Sequence, residues 1–167
     1  MEILRMKRKT ISVTADENGN ITVKAPFFVP KKVIEEFVSR RQKDIEKMVE
    51  QKKKRAERCS LYSDEELLRR ARELLPERIE YFSKITGLKP VSVKVTSAKT
   101  RYGSCSSAGR ICFSKYLMCY PLDVIDYVIL HELSHLKFMN HSREFYAFIE
   151  NIMPDYKYRV KKLRNDG

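Results

Sequence analysis

The sequence lacks any run of about 18 consecutive apolar residues, so it predicts no transmembrane helix. Its basic first ten residues lack the apolar core and cleavage site of a secretory signal peptide, so we expect a cytoplasmic protein. No two of its four cysteines form a CxxC pair, which argues against a cysteine-based zinc site. Because no export signal is expected, free thiols are expected rather than disulfides.

Positive charge, by contrast, is abundant. The 167 residues include 34 Lys and Arg against 22 Asp and Glu, which gives a net charge of +12. Such a field attracts polyanions, so weak and non-specific binding of nucleic acid or nucleotides is an expected property. Charge alone predicts only this electrostatic attraction and no recognition of a particular sequence.

The predicted elements divide the chain into an N-terminal part, residues 1–59, and a larger part, residues 60–167. Two alternating segments, 7–14 and 20–25, read as strands on either side of Asn18-Gly19. Asn-Gly between such segments is the strongest short signal for a β-hairpin. The N-terminal part is therefore predicted to begin with a small hairpin.

A long basic helix is predicted after this hairpin. Apolar residues recur at helical spacing from Lys31 to about Arg58, although Arg41 interrupts the stripe. Residues 52–55 are four consecutive cations. Because a helix presents successive residues on all sides, this run predicts a diffuse charged end rather than one ligand-facing stripe.

The larger part is predicted to mix helices with short strands. Ser63 is a suitable N-cap for a helix that ends at Gly87. Strand signals follow at 91–96, 100–105 and 110–114. After Pro121, a helix that is apolar nearly all round is predicted to run to about Met139, as expected of a central buried helix. Further helix starts are predicted at Ser142 and Pro154.

The three histidines of the chain all lie in one stretch of that buried helix and the turn after it. His131 and His135 are one helical turn apart, so their imidazoles share a face and can bind one ion. Glu132 follows the first histidine, where a general base would lie beside the metal. His141 lies beyond a turn for which Asn140 is suited, since Asn tolerates a left-handed conformation. His141 is therefore the expected third ligand, which leaves the open position of a catalytic zinc.

A bare HExxH pattern also arises by chance on ordinary helices, so its context matters. Val124, Val128, His131 and His135 form one stripe that is apolar until the histidines begin. Buried polar groups without partners cost roughly 1–3 kcal/mol each. A metal ion supplies that partner, so the context favours a metal site.

Several motifs together resemble the YgjP-like metallopeptidase family, which is related to the SprT-like zinc proteases. They are Arg101–Cys105, Val124–Val128, the metal stretch 131–141 and Met153–Tyr156. The resemblance implies an α+β, zincin-like fold, in which a small, twisted, antiparallel-rich sheet packs on a central HExxH helix. The third ligand of the family matches His141. The family usually has Trp where this chain has Tyr102.

The resulting hypothesis is a zinc metallopeptidase that acts on peptides or unfolded proteins. Zinc would activate a water molecule and polarise the scissile carbonyl, with Glu132 as the general base. The segment near residue 103 would form the upper rim of the site, where an extended peptide adds to a strand edge. An equally good interpretation of residues 103–105 is a tight strand bend that contributes only to packing. The candidate substrate-binding residues are Arg101, Tyr102, Gly103, Ser104 and Tyr156.

Two alternatives use the same features. A metal, a base and a basic surface could hydrolyse a phosphoanhydride such as a nucleoside triphosphate. The chain has no glycine-rich phosphate loop, and magnesium prefers oxygen ligands to histidines. The second alternative is a non-catalytic nucleic-acid-binding module, whose binding would survive the loss of Glu132.

Cys105 is a poor candidate nucleophile, because no fourth histidine exists to activate it.

Overall fold

The computed structural model describes residues 1–16 and 18–165. The chain forms two compact units, Met1–Arg58 and Cys59–Arg164. Each unit has its own cluster of buried apolar side chains. No helix among the described residues is long and apolar enough to cross a membrane.

The first unit contains a three-stranded sheet. Its strands are β1 (Glu2–Met6), β2 (Ser12–Ala15) and β3 (Ile21–Pro26), in the order β1-β3-β2. The antiparallel pair β2–β3 is the predicted hairpin, with a first strand shorter than the predicted 7–14. The Asp16 carboxylate accepts hydrogen bonds from the backbone N–H groups of Asn18 and Asn20 and so closes the turn. Strand β1, which was not predicted from the sequence, pairs in parallel with β3.

The helix predicted from Lys31 to about Arg58 is two helices, α1 (Lys31–Arg40) and α2 (Gln42–Ser60). Arg41 lies between them with φ −111° and ψ 18°, outside the helical region, and its N–H bonds to the carbonyl of Val38. The prediction of one continuous helix was therefore wrong. The break falls at the residue where the apolar stripe is interrupted.

The second unit is built from four helices and a small sheet. Its elements are α3 (Asp64–Thr86), β4 (Ser92–Thr96), β5 (Gly103–Cys105), β6 (Arg110–Ser114), a 3₁₀ turn (Lys115–Cys119), α4 (Leu122–Ser134), α5 (Arg143–Ile152) and α6 (Tyr156–Asn165). The sheet order is β4-β6-β5, with β6 parallel to β4 and antiparallel to β5. The side-chain oxygens of Ser63 and Ser142 accept backbone hydrogen bonds at the starts of α3 and α5, as predicted.

Helix α4 is the centre of this unit. Its buried apolar side chains are Val124, Ile125, Tyr127, Val128, Ile129, Leu130 and Leu133. Helices α3 and α5 and strand β5 all contact it. The prediction of a central buried helix within an α+β fold is confirmed. Helix α4 is shorter than predicted, because it ends at Ser134 rather than near Met139.

An ion pair joins α3 to α4. The Arg78 guanidinium donates from Nε and Nη2 to the two carboxylate oxygens of Asp126, over 2.7 and 2.8 Å. The side chains are only 19% and 11% exposed. The hydrogen bond to Asp126 raises the pKa of Arg78, so the guanidinium stays charged.

We expect Asp126→Ala to lower the free energy of unfolding by about 3 kcal/mol, because it leaves a charge mostly buried without its partner. Urea denaturation followed by circular dichroism measures this change. Glu73→Ala is the control, since Glu73 and its partner Arg69 are 63% and 64% exposed. The control should change stability by less than about 1 kcal/mol. Equal losses in the two variants would show that the Arg78–Asp126 pair contributes no more to the free energy of unfolding than an exposed ion pair does.

Candidate metal centre

The last turn of α4 carries the first two histidines. His131 lies within the helix, and His135 is its C-cap residue with φ −66° and ψ −17°. This conformation is still helical, so the two residues keep their one-turn spacing. Their ring centroids lie 5.0 Å apart.

The chain then turns back and brings the third histidine to the first two. The N–H of Phe138 bonds to the carbonyl of Ser134 over 2.9 Å. No non-glycine residue that the structure describes has a positive φ, so the turn does not use the left-handed conformation expected of Asn140. The His141 ring lies 5.0 Å from that of His131 and 4.7 Å from that of His135.

The three imidazoles form a group able to hold a metal ion. One nitrogen from each of His131, His135 and His141 lies within 4.8 Å of the others. The Nε2 atoms of His131 and His141 are 3.1 Å apart. Two nitrogens bound tetrahedrally to one zinc lie about 3.3 Å apart, given Zn–N bonds of about 2.0–2.1 Å. The donor set and its spacing therefore fit zinc.

The outer nitrogens of two histidines have partners that orient the rings. Nδ1 of His135 lies 2.9 Å from the carbonyl oxygen of Phe138. A carbonyl only accepts, so this Nδ1 carries the proton and Nε2 is free to bind a metal. Nδ1 of His131 lies 3.3 Å from the hydroxyl of Tyr127. The carbonyl fixes the tautomer of His135, whereas the hydroxyl, which can donate or accept, orients the ring of His131.

Aromatic rings pack around the histidines. The ring of Phe145, which is fully buried, lies 4.7–5.0 Å from all three imidazoles. The Tyr146 ring stacks on His141 and on Tyr156, and Tyr156 stacks in turn on Tyr127. These aromatic contacts help to hold the imidazoles in position, although His141 is exposed.

The electrostatic environment favours the neutral form of His131 and His141. Burial, together with the neighbouring His135 and His141, lowers the pKa of His131 to about 3. Burial, and then His135, also lowers the pKa of His141. A neutral imidazole is the form that binds metal, so the lowered pKa values of His131 and His141 favour metal binding near neutral pH.

Glu132 is a buried carboxyl beside this group, with 6% of its surface exposed. Burial raises its pKa to about 7, and the positive charge of Arg101 acts in the opposite direction. A carboxyl with a pKa near the ambient pH can both accept and release a proton.

Strand β5 passes directly over Glu132. A Cβ atom built on Gly103 would lie 2.6 Å from Cγ and 2.7 Å from Oε1 of Glu132. Only glycine leaves room for this approach. Cys105 is on the same face, where burial and the charge of Glu132 raise its pKa. Its thiol therefore stays protonated and is a poor nucleophile.

The other candidate substrate-binding residues have different surroundings. Tyr102 packs edge-to-face on the buried Tyr120, with the two hydroxyls 2.6 Å apart. Tyr156 is buried in the tyrosine stack behind the histidines. Arg101 and Ser104 line an open groove beside β5. Their roles as substrate contacts, and that of Gly103, stay predictions.

The groups that orient the histidines were not predicted from the sequence. Tyr127 is four residues before His131, so it lies on the same helix face, and this spacing was a usable signal. The carbonyl of Phe138 carried no signal, because a backbone group is present at every residue. Phe145 lies in the helix that was predicted to begin at Ser142, and its contact with the histidines was not predicted.

Comparisons with known proteins agree with this geometry. A family model described as "YgjP-like, metallopeptidase domain" matches residues 61–166. The fold is similar to the crystal structure of the metallopeptidase zymogen of Pyrococcus abyssi abylysin, with a TM-score of 0.50 and 22% identity. That likeness covers 54% of this chain and 91% of the other. The comparison with curated proteins finds no match. The family match gives no support to nucleic-acid binding.

Proposed function

Because the chain belongs to the YgjP-like metallopeptidase family, as its motifs predicted, we propose that it is a zinc-dependent endopeptidase. The observation that carries this proposal is the meeting of three histidine nitrogens within 4.8 Å beside a buried carboxyl. The histidines are the ligands and Glu132 is the general base. Peptides or unfolded proteins are the substrate class that the family implies.

His131, His135 and His141 hold the ion. Three imidazoles favour zinc over magnesium or calcium, which prefer oxygen ligands. When bound, zinc supplies Lewis acidity, which polarises a carbonyl and makes water a stronger acid. The Phe138 carbonyl and the Tyr127 hydroxyl hold the first two rings in the binding orientation.

Glu132 moves the proton. Its carboxylate accepts a proton from the attacking water and later delivers it to the leaving amine. Burial supports both roles, because it raises the carboxyl pKa to about 7. The charge of Arg101 favours the ionised form, which is the form that accepts a proton.

Strand β5 places the substrate. Its one partner strand among the described residues is β6, so its other edge has main-chain groups available to pair with an extended peptide. Gly103 brings that edge into contact range of Glu132. A peptide paired there would hold its backbone next to the general base.

Metal analysis tests the first part of the proposal. We expect the purified protein to hold about one zinc per chain, by elemental analysis. His141→Ala should weaken zinc binding by at least about 100-fold in a chelator competition, because it removes one of three ligands. Met139→Ala, in the same turn and 59% exposed, is the matched control and should bind zinc normally. Unchanged zinc affinity in His141→Ala would remove His141 from the site.

Parallel activity assays separate the proposal from phosphoanhydride hydrolysis. Zinc-loaded protein is expected to cleave denatured proteins and to release no phosphate from nucleoside triphosphates. Phosphate release without peptide cleavage would overturn the peptidase assignment and leave the metal assignment intact.

A further inference from the structure

The outer face of the β4-β6-β5 sheet is polar and positively charged. Residues alternate between the two faces of a strand. Gly103 faces α4, so its neighbour Ser104 faces outward, in register with Cys112 on β6 and Lys94 on β4. Arg110, two residues before Cys112, is on the same outward face.

A groove of about 410 Å³ lies on this outer face. Its cationic lining residues are Lys94, Arg101 and Arg110, all exposed, and no acidic residue lines it. None of the three cations forms an ion pair with another residue in the described part of the chain. Hydroxyl groups of Ser92, Ser104 and Ser106 lie among them.

These groups fit a carboxylate ligand. Arginine binds a carboxylate through two parallel N–H donors, and lysine and serine add single donors. The lining contains no aromatic side chain on which a nucleobase could stack. Stacking platforms are the usual partner of basic grooves that bind single-stranded nucleic acid. The lining therefore favours an acidic peptide over a nucleic acid.

The groove adjoins the candidate active site. Ser104, in its lining, directly follows Gly103, which contacts Glu132 from the other face of β5. Arg101 lines the groove, and its charge also acts on Glu132. A peptide paired with the edge of β5 would point every second side chain to the outer face, beside Ser104 and Arg101. Lys94 is two strand spacings further, about 10 Å across the sheet.

We propose that this groove, lined by Lys94, Arg101 and Arg110, binds an acidic segment of the peptide substrate. The segment leaves the edge of β5 and crosses the outer face of the sheet. The groove makes the enzyme select substrates with Asp or Glu residues next to the cleaved region. This specificity rests on the proposed peptidase function, whereas binding of an acidic peptide can be measured without turnover.

Binding is measured by fluorescence anisotropy in the Glu132→Gln background, in which the peptide stays intact. The probes are two labelled peptides of equal length, one with four Glu residues and one with Gln at the same positions. Lys94→Glu combined with Arg110→Glu reverses the charge of the groove, because only Arg101 stays positive. Arg72→Glu combined with Lys161→Glu is the matched control, because both residues are exposed on helices and the change in net charge is the same.

We expect the starting protein to bind the Glu peptide about tenfold more tightly than the Gln peptide at low salt, a scale typical of several surface ion pairs. The groove variant should lose this preference and the control should keep it. Lys94→Gln combined with Arg110→Gln provides the same test with a smaller perturbation if the charge reversal impairs folding. Zinc content and circular dichroism check that each variant is folded.

Three results would overturn the proposal. One is the absence of any preference in the starting protein. The second is an equal loss in the groove variant and its control, which would assign the effect to net charge. The third is tighter groove-dependent binding of a single-stranded oligonucleotide than of the Glu peptide. Preferential binding in a protein that cleaves no peptide would instead support the groove and overturn the peptidase function.

Discussion

Glu132→Gln is expected to lower peptide hydrolysis by about 100-fold or more while the protein keeps its zinc. Glutamine preserves the shape of the side chain but cannot accept the proton of the attacking water. The three histidine ligands are unchanged, so the zinc content should equal that of the natural sequence. Initial rates of peptide cleavage and elemental analysis on the same preparation measure the two quantities.

Glu144→Gln is the matched control, since Glu144 is exposed in the first turn of α5 and the substitution is chemically the same. Its activity should equal that of the starting protein. If Glu132→Gln loses its zinc, Glu132 is a ligand or a structural group rather than the base. If it keeps both zinc and full activity, another group takes the proton.

Gly103→Ala is expected to lower kcat by about 10- to 100-fold, the scale of a small displacement of a catalytic group. The new Cβ would lie 2.6–2.8 Å from three atoms of the Glu132 side chain, where no real Cβ fits. Either the carboxylate or strand β5 must shift. The three atoms nearest to the new Cβ all belong to Glu132 rather than to a histidine, so zinc affinity should be unchanged. Steady-state kinetics and zinc titration separate these effects.

Gly87→Ala is the control for general destabilisation. Gly87 has φ +72° and nothing within 4 Å of a built Cβ, so alanine there brings backbone strain without crowding. It should lower stability and leave kcat near its starting value. A loss of kcat equal to that of Gly103→Ala would show that stability, not the position of Glu132, sets the rate.

A double-substitution cycle tests the contact itself. Glu132→Asp shortens the carboxyl side chain by one methylene and withdraws it from residue 103. Gly103→Ala should therefore cost less activity in the Glu132→Asp background than in the starting protein. Strictly additive losses would contradict a direct clash between the two side chains.

Features with local causes could be predicted from the sequence. The spacing of His131 and His135 places both on one helix face, whatever surrounds the helix. Ser63 and Ser142 cap the helices that they were expected to cap. The apolar residues on nearly all sides of α4 predicted its burial, because a helix without a polar face is stable only when it is buried.

Features that depend on distant parts of the chain could not be predicted. Strand β1 pairs in parallel with β3, the second strand of the hairpin, and nothing in the sequence of β1 specifies that partner. Helix α4 ends at Ser134, although the helical pattern in the sequence continues beyond this residue. The chain turns there and brings His141 back to His131. The sequence pattern shows where a helix is favourable, and tertiary contacts decide where it stops.

The metal-binding motif could be predicted from the sequence, whereas the residues that surround it in the folded site could not. The three histidines and Glu132 could be identified as candidates from the sequence alone. Side-chain type and helical spacing, on which that identification rests, are properties of residues close together in the chain. Only the tertiary structure decided that Gly103, 29 residues earlier, contacts Glu132. The same holds for Lys94 and Arg110, which share one groove because parallel pairing of β4 with β6 places them on the same face. Contacts between residues far apart in sequence depend on how the elements pack, which no local pattern records.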